Sequence, residues 1–125
     1  MRRLAPSAAF GALALLSGCS DAHRPETAGA VPGGDPARGE AIVRQVGCGA
    51  CHEIRPIRTA RGLVGPPLLH MGRRTTIAGV LANTPQNMVR WVQAPQAVVP
   101  GNAMPDMGLD VQQARDVAAY VEALR

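Results

Sequence analysis

The chain has few aromatic residues, since its 125 residues include one Phe, one Tyr and one Trp, although 46% are apolar. A large core of aromatic rings is therefore excluded. Lysine is absent, and all 13 basic residues are arginines, set against 9 acidic residues. No basic stripe with interleaved aromatic side chains is present, which argues against nucleic-acid binding. The length, the 18% of charged residues and the absence of a charge run favour one small soluble domain.

Long apolar runs are missing beyond the N-terminus. Met1–Arg3 supplies positive charge, and the apolar stretch 8–16 is too short to cross a bilayer. We therefore predict that residues 1–18 are a signal peptide. The segment Leu16-Ser17-Gly18-Cys19 resembles the bacterial lipobox, which predicts that Cys19 carries a lipid. The alternative is cleavage nearby with Cys19 as a free thiol, a liability in an oxidising compartment.

The segment after Cys19 is rich in turn-forming residues. Residues 20–34 hold two Pro, three Gly and little that is apolar, which indicates a tether. We predict three parts: a lipoprotein signal peptide over 1–18, a lipidated Cys19 with its tether over 19–34, and a folded domain over 35–125. The mature protein is then expected on the periplasmic side of a bacterial membrane, anchored by lipid and not spanning the bilayer.

Helical periodicity begins after the tether. N-cap residues predict three helix starts; they are Asp35 before Pro36, Thr84 before Pro85, and Asp110 with Gln113 three residues later. The first helix is expected to end at Gly47 and the second near Pro95, while the third carries an apolar face to the end of the sequence. No segment shows sustained strand-like alternation. The sequence therefore predicts an all-α domain of three main helices joined by long loops.

Chemistry is concentrated in Cys48-Gly49-Ala50-Cys51-His52. Two cysteines at this spacing form thioether bonds to the two vinyl groups of a haem, while the following histidine binds the iron. A structural zinc site or a redox-active cysteine pair could use the same residues. Zinc needs four ligands and the chain has one further cysteine, Cys19, whereas a thioredoxin-like pair needs a βαβ context. The motif therefore favours one covalently bound haem c.

The order of several further motifs resembles that of the small class I c-type cytochromes, over about residues 35–125. After Cys48–His52 come Gly65-Pro66-Pro67-Leu68, Gly72-Arg73, Trp91 before Pro95, Pro100-Gly101-Asn102-Ala103-Met104, and a last helix with Tyr120. The resemblance implies a cytochrome c fold wrapped around one haem. It also implies close packing of Gly39 and Val43 against Val117 and Tyr120, where the first and last helices cross.

The same resemblance assigns the iron ligands. His52 is expected as the proximal ligand and Met104 as the distal one, and a thioether is a soft ligand that favours ferrous iron. The Pro66 carbonyl is expected to accept the second ring N–H of His52. Arg73, Trp91 and Asn102 are implied to line the haem, with Arg73 and Asn102 near its propionates or the distal loop.

Each assignment has an alternative. Met107 and His70 are competing candidates for the iron, Trp91 could be an ordinary core residue, and Arg73 could be a solvated charge. Met71 and Met88 are expected to pack around the macrocycle.

Two classes of function follow from the coordination of the iron. A carrier with Met104 on the iron would take single electrons from a quinol-oxidising complex or a dehydrogenase and pass them to a terminal oxidase or reductase, either freely or as a subunit of a larger complex. A haem enzyme or a gas-binding sensor would need an open iron site, which Met104 would close. We therefore expect an electron carrier and no catalytic residue. Partner docking is expected to rest on apolar contact near the haem edge, with Arg55, Arg58, Arg61 or Arg73 tuning the orientation.

Overall fold

The computed structural model describes residues 30–125; the predicted signal peptide and Cys19 lie outside the described residues. The elements in chain order are helix α1 over Pro36–Gln45, a 3-10 turn over Cys48–Ala50, a second 3-10 turn over Met71–Arg73, strand β1 over Thr76–Ile77, strand β2 over Leu81–Ala82, helix α2 over Pro85–Gln93, helix α3 over Pro95–Val98 and helix α4 over Val111–Ala123. The predicted helical fold with long loops is confirmed. Within residues 30–125, no helix combines the length and the apolar character that a bilayer crossing requires.

The three predicted helix starts are confirmed by their capping contacts. The Asp35 carboxylate accepts hydrogen bonds from two backbone N–H groups of α1. The Thr84 hydroxyl accepts one from α2, and Asp110 and Gln113 form a complete capping box at α4. These contacts satisfy N–H groups that have no partner within their own helix.

The structure adds two small elements to the predicted helices. Strands β1 and β2 form a short antiparallel hairpin, in which Ile77 lies opposite Leu81. Helix α2 is followed, after Ala94, by the four-residue helix α3, which begins at Pro95. Ala94 separates the two helices with φ −145° and ψ 67°, which is outside the α region that a following proline disfavours.

Helix α4 packs against α1 and α2. At the α1–α4 crossing, a Cβ atom on Gly39 would overlap the backbone carbonyl of Asp116 and would lie 2.8 Å from Cβ of Tyr120. The two backbones can approach this closely because glycine has no side chain. The expected contact between Gly39 and Tyr120 is therefore present.

A buried carboxylate joins the same two helices. Asp116 is 3% exposed, and it accepts hydrogen bonds from Nε and Nη2 of Arg38 at 2.8 and 2.9 Å. The backbone N–H of Asp35 and the side chain of Gln112 also donate to it, at 2.8 and 3.0 Å. Against the effect of burial, the Arg38 hydrogen bonds lower the pKa of the Asp116 carboxyl. The group is thus ionised and held by charge-assisted hydrogen bonds.

The folded unit begins before the predicted boundary at residue 35. Val31 is 6% exposed and belongs to the apolar core. The Gly33 carbonyl accepts a 2.8 Å hydrogen bond from the Gln112 side chain, and a Cβ atom on Gly34 would lie 2.8 Å from Cβ of Ala119. Residues 31–34 are therefore packed onto α4, a correction to the predicted tether over 19–34. A single valine between prolines and glycines gives no periodic signal from which this could be predicted.

The core is mostly aliphatic, and within residues 30–125 Tyr120 is the one buried aromatic side chain. Met71 and Met88 are both buried, and their packing around the macrocycle stays a prediction. Three buried side-chain polar atoms have no hydrogen-bond partner among the described residues: Oδ1 of Asn83, the Tyr120 hydroxyl and Oε1 of Glu122. Burial raises the pKa of Tyr120 and of Glu122.

Candidate functional site

The two cysteines and the histidine of the motif lie on one tight turn directly after α1. Gly47 has φ 78° and ends the helix, and the backbone N–H of His52 then donates to the Cys48 carbonyl at 3.0 Å. Both Cys48 and Cys51 are half-buried free thiols. Burial raises the pKa of the Cys48 thiol. The turn therefore presents two thiols and one imidazole within five residues.

The imidazole of His52 is held from one side. Its Nδ1 lies 2.7 Å from the backbone carbonyl of Pro66, the distance of a hydrogen bond. A carbonyl is only an acceptor, so Nδ1 carries the proton. The lone pair is consequently on Nε2, which is left for a metal ion, as in other histidine-ligated sites.

Glycine backbone packs closely around the same turn. A Cβ atom on Gly65 would overlap the His52 ring, and one on Gly62 would overlap the backbone of Ala50 and Cys51. The N–H of Gly65 donates to the Cys51 carbonyl at 2.8 Å. The loop over residues 53–65 is therefore fastened to the cysteine–histidine turn at both of these glycines.

A cleft of about 550 Å³ opens beside Pro66 and Arg73. Arg73 is exposed at the end of the second 3-10 turn. Asn83 fixes this turn, since its Nδ2 donates to the carbonyls of Met71 and Arg74 at 2.8 and 2.9 Å. The exposed cation thus lines a cleft that also borders the carbonyl partner of His52, an arrangement suited to an anionic group.

Arg74 differs from its neighbour Arg73, because its Nη2 donates to the Pro67 carbonyl at 2.6 Å. The guanidinium therefore tethers the segment that follows Pro66 to the 3-10 turn. Both arginines line the cleft, and Arg73 is the exposed one of the two.

The loop that carries Met104 is fastened to α3 by Gln96. The Gln96 side chain accepts from the N–H of Gly101 at 3.0 Å and donates to the carbonyls of Asn102 and Met104 at 3.0 and 2.7 Å. One amide thereby fixes three successive points of the loop. The half-buried Met104 side chain is presented from a backbone that has little freedom.

Asn102 also acts on this loop. Its Nδ2 donates to the carbonyls of Pro95 and Val99 at 3.1 and 2.6 Å, and its Oδ1 accepts from the N–H of Met104 at 2.7 Å. The side chain is thus occupied with backbone groups on either side of the loop. It positions Met104, and its predicted place beside the haem stays a prediction.

The competing ligand candidates differ in their surroundings. Met107 packs against the apolar core. His70 is exposed and has φ 60°, at the residue before the second 3-10 turn. Within residues 30–125, no group of three or more His, Cys, Asp or Glu side chains is arranged to hold a metal ion by itself. The zinc alternative therefore has no support in the described residues.

Trp91 lies on α2, partly buried, and packs against the core beside the buried Met88 and Val92. This position is compatible with both of its predicted roles, so its contact with the haem stays a prediction.

Sequence reasoning missed Gln96 and Asn83. Each is an amide side chain whose partners are backbone groups five to twelve residues away. Such contacts depend on the path of the loop and leave no periodic pattern. A possible signal is the position of Gln96 between Pro95 and the Pro100-Gly101 turn, where a polar side chain has loop backbone on both sides.

Comparison with known proteins agrees with the family resemblance of the sequence motifs. Residues 36–125 match the family model described as Cytochrome c. The chain is 31% identical over 111 residues to a protein named cytochrome c2 from Rhodopila globiformis, a match that covers 78% of this chain and 100% of that protein.

Other relatives are much longer proteins. The chain is 32% identical over 91 residues to cytochrome c oxidase subunit 2 of Alkalihalophilus pseudofirmus, covering 70% of this chain and 25% of the relative. It is 38% identical over 68 residues to the subunit of the same name from Bacillus sp. strain PS3, covering 53% and 19%. The chain thus spans a quarter or less of these oxidase subunits.

Proposed function

Since the chain belongs to the cytochrome c family, we propose that it carries single electrons on one haem c, accepted from a quinol-oxidising complex or a dehydrogenase and passed to a terminal oxidase or reductase. Family membership makes the chain an electron-transfer protein with covalently bound haem. The number of haems, the ligands and the partners are the proposed part.

The described residues fit this cofactor. Free thiols on Cys48 and Cys51 are available for the two thioether bonds. Nε2 of His52 is the free nitrogen of a ring whose Nδ1 is 2.7 Å from the Pro66 carbonyl, and this contact is the observation that carries the proposal. A ligating histidine is oriented, and made more basic, by such a partner. The bound haem supplies a one-electron ferric–ferrous couple.

Met104 is proposed as the sixth ligand. Its backbone is held by Gln96 and Asn102, which allows a thioether to be presented in one place. Met107 is the less suitable donor, because it packs against the core. A methionine on the iron raises the reduction potential and closes the site to small molecules. This supports a carrier over the alternative of a haem enzyme or gas sensor.

A terminal oxidase is the acceptor that the comparisons favour. Three of the similar proteins bear the name cytochrome c oxidase subunit 2. We infer that this chain delivers electrons to an oxidase of that class, as a separate carrier or as a subunit of the complex.

The lipid anchor is also part of the proposal. Acylation of Cys19 would hold the carrier at the periplasmic face of the membrane, beside membrane-bound partners. Cys19→Ser should release the protein into the soluble fraction or leave its signal peptide uncleaved, and the mass of the wild type should include the lipid. An unmodified Cys19 in the mass spectrum would reject the anchor and leave the electron-transfer proposal standing.

Met104→Ala tests the carrier against the open-site alternative. The variant should lose the weak near-infrared sulfur-to-iron band of the ferric protein, show a lower potential and bind carbon monoxide quickly when reduced. Met107→Ala is the matched control and should keep all three wild-type properties. Rapid carbon monoxide binding by the wild type would instead indicate an open iron site. A large effect from Met107→Ala alone would show that Met107, and not Met104, is the sixth ligand.

A further inference from the structure

Helix α3 receives its N-terminal cap from a distant part of the chain. Its own N-cap residue is Ala94, whose methyl side chain cannot accept a hydrogen bond, and Pro95 carries no N–H group. The next N–H of the helix, that of Gln96, donates to Oδ1 of Asp106 at 3.2 Å. A carboxylate ten positions later in the sequence therefore does what the N-cap side chain does in the other helices.

Asp106 lies two residues after Met104, the proposed sixth ligand. The Gln96 side chain is bonded to three backbone groups between residues 101 and 104, which places its contacts before and at the methionine. The backbone N–H of the same Gln96 is bonded to Asp106, which follows the methionine. One residue of α3 thus holds the Met104 loop on both sides of the ligand.

Pro105 connects the two held points. It is the single residue between Met104 and Asp106, and its ring fixes its own φ angle. It also keeps the preceding residue, Met104, out of the α region. Because this short segment has few accessible backbone conformations, a fixed Asp106 limits where the Met104 backbone can move.

The alternative interpretation is that Asp106 is an ordinary surface charge. The residue is exposed, so water competes for its hydrogen bond with Gln96. Its position at the start of α3 argues for a specific role, because an N–H in the first turn has no partner within its own helix. A carboxylate is also favourable at the N-terminal end of a helix.

We propose that Asp106 is a positioning residue for Met104. By capping α3 at Gln96 it closes the downstream side of the Met104 loop, and without it the methionine leaves the iron more often. The inference rests on the proposed function, because it takes Met104 as the sixth ligand. It adds to the Gln96 side chain, which holds the upstream side, a second and separate contact on the same loop.

The test compares Asp106→Ala with Asp106→Asn in the full-length holoprotein. Alanine removes the acceptor, whereas asparagine keeps an Oδ1 atom in the same place. Cyanide in excess binds the ferric iron at a limiting rate that is set by detachment of the methionine, so this rate reports opening of the loop. Asp106→Ala should raise the limiting rate roughly three- to tenfold, the effect of one lost hydrogen bond, and Asp106→Asn should stay within about twofold of wild type.

Amide hydrogen exchange of the reduced protein gives a second measurement that needs no added ligand. The Gln96 N–H should exchange at least about threefold faster in Asp106→Ala, because its acceptor is gone. The Met104 N–H, which donates to Oδ1 of Asn102 at 2.7 Å, should also exchange faster if the loop opens. The Val117 N–H, in the middle of α4, should be unchanged.

Glu40→Ala is the matched control. It removes a solvent-exposed carboxylate of the same charge from α1, where the side chain pairs only with Arg44 of its own helix. The limiting cyanide rate and the exchange of the Gln96 N–H should both remain at their wild-type values. A change in either would mean that net charge, and not the contact with α3, governs the loop.

The outcomes separate this inference from the proposed function. If wild type shows the sulfur-to-iron band and Asp106→Ala keeps the wild-type limiting rate, Asp106 does not position the methionine and the carrier proposal stands. A lower urea midpoint in that variant with an unchanged rate would assign Asp106 to the stability of α3 alone. Asp106→Asn reacting as fast as Asp106→Ala would likewise reject the hydrogen bond as the cause. A wild type without the band has no methionine ligand, which overturns the proposed sixth ligand and this inference together.

Discussion

Gly65 lies so close to His52 that a methyl group on its Cα would overlap the imidazole. The ring cannot swing away freely, because its Nδ1 is bonded to the Pro66 carbonyl at 2.7 Å. Two consecutive residues of one loop therefore determine where the histidine stands. Neither contact is visible in the Cys48–His52 motif itself.

Gly65→Ala tests this arrangement. The added methyl group should tilt the His52 ring and weaken its bond to the iron, so that added imidazole displaces the ligand roughly tenfold more readily, the scale typical of changes around a metal ligand. Visible spectra during an imidazole titration provide the measurement. Gly108→Ala is the control, since the space around Gly108 is open and its φ of 68° adds only backbone strain. Equal spectra and titrations for the two variants would show that Gly65 does not position the ring.

Gln96→Ala should loosen the Met104 loop. The substitution removes hydrogen bonds to Gly101, Asn102 and Met104, each worth about 0.5–1.5 kcal/mol. The fraction of molecules with the methionine detached should rise at least about tenfold, and cyanide should bind the ferric protein faster by that factor. Gln86→Ala, an exposed position on α2, should leave the cyanide rate unchanged. An unaltered rate in Gln96→Ala would mean that the loop is rigid without this amide.

Gly39→Ala should destabilise the domain, although alanine is the better helix former. In a free helix the change would stabilise by roughly 1 kcal/mol. At the crossing the new Cβ atom would overlap the Asp116 carbonyl, and overpacking of this kind costs about 1–3 kcal/mol. Urea unfolding of the holoprotein shows whether the free energy of unfolding falls or rises. Ala41→Gly, on an exposed face of α1, measures the difference in helix propensity between alanine and glycine without a change in packing. A gain of stability in Gly39→Ala would contradict close packing at the crossing.

Acid should weaken the α1–α4 contact through Asp116. Its carboxyl pKa is lowered in the folded state by the Arg38 hydrogen bonds. A depressed carboxyl pKa gives stability that is complete above the unfolded pKa of about 4 and is lost as pH falls through the lower folded value. Asp116→Asn should therefore have a lower urea midpoint than wild type near pH 7, and the difference should shrink toward pH 2.

Glu40→Gln is the control for that experiment. Glu40 pairs with Arg44 at 2.6 Å, but both side chains are well exposed, and surface pairs of this kind contribute little. Burial raises the pKa of Glu122. Its effect on folding stability therefore has the opposite pH dependence to that of Asp116, because stability falls as pH rises and Glu122 ionises. Both variants retain Glu122, so the difference between their urea midpoints reports the contribution of Asp116. A difference that does not narrow in acid would show that the Asp116 charge is not what joins the helices.

The parts of the fold that are local in sequence could be predicted. Asp35, Thr84 and Asp110 cap helices because a carboxylate or hydroxyl reaches N–H groups only two or three residues away. The cysteine–histidine motif is local in the same sense. Gln96 and the packing of Val31 depend on partners that the folded loop brings together, so no window of sequence contains them.

The hydrogen bond between Arg38 and Asp116 joins residues 78 positions apart, and the cysteines, His52 and Met104 all lie inside the loop that it closes. Closing a loop costs more entropy the longer the loop is. In the proposed holoprotein, bonds from one iron to His52 and Met104 would already join two distant points of that loop, so less free chain would remain to be ordered when α4 meets α1. The haem would then act on folding as a crosslink, and refolding should be faster with Met104 bound than in the Met104→Ala protein.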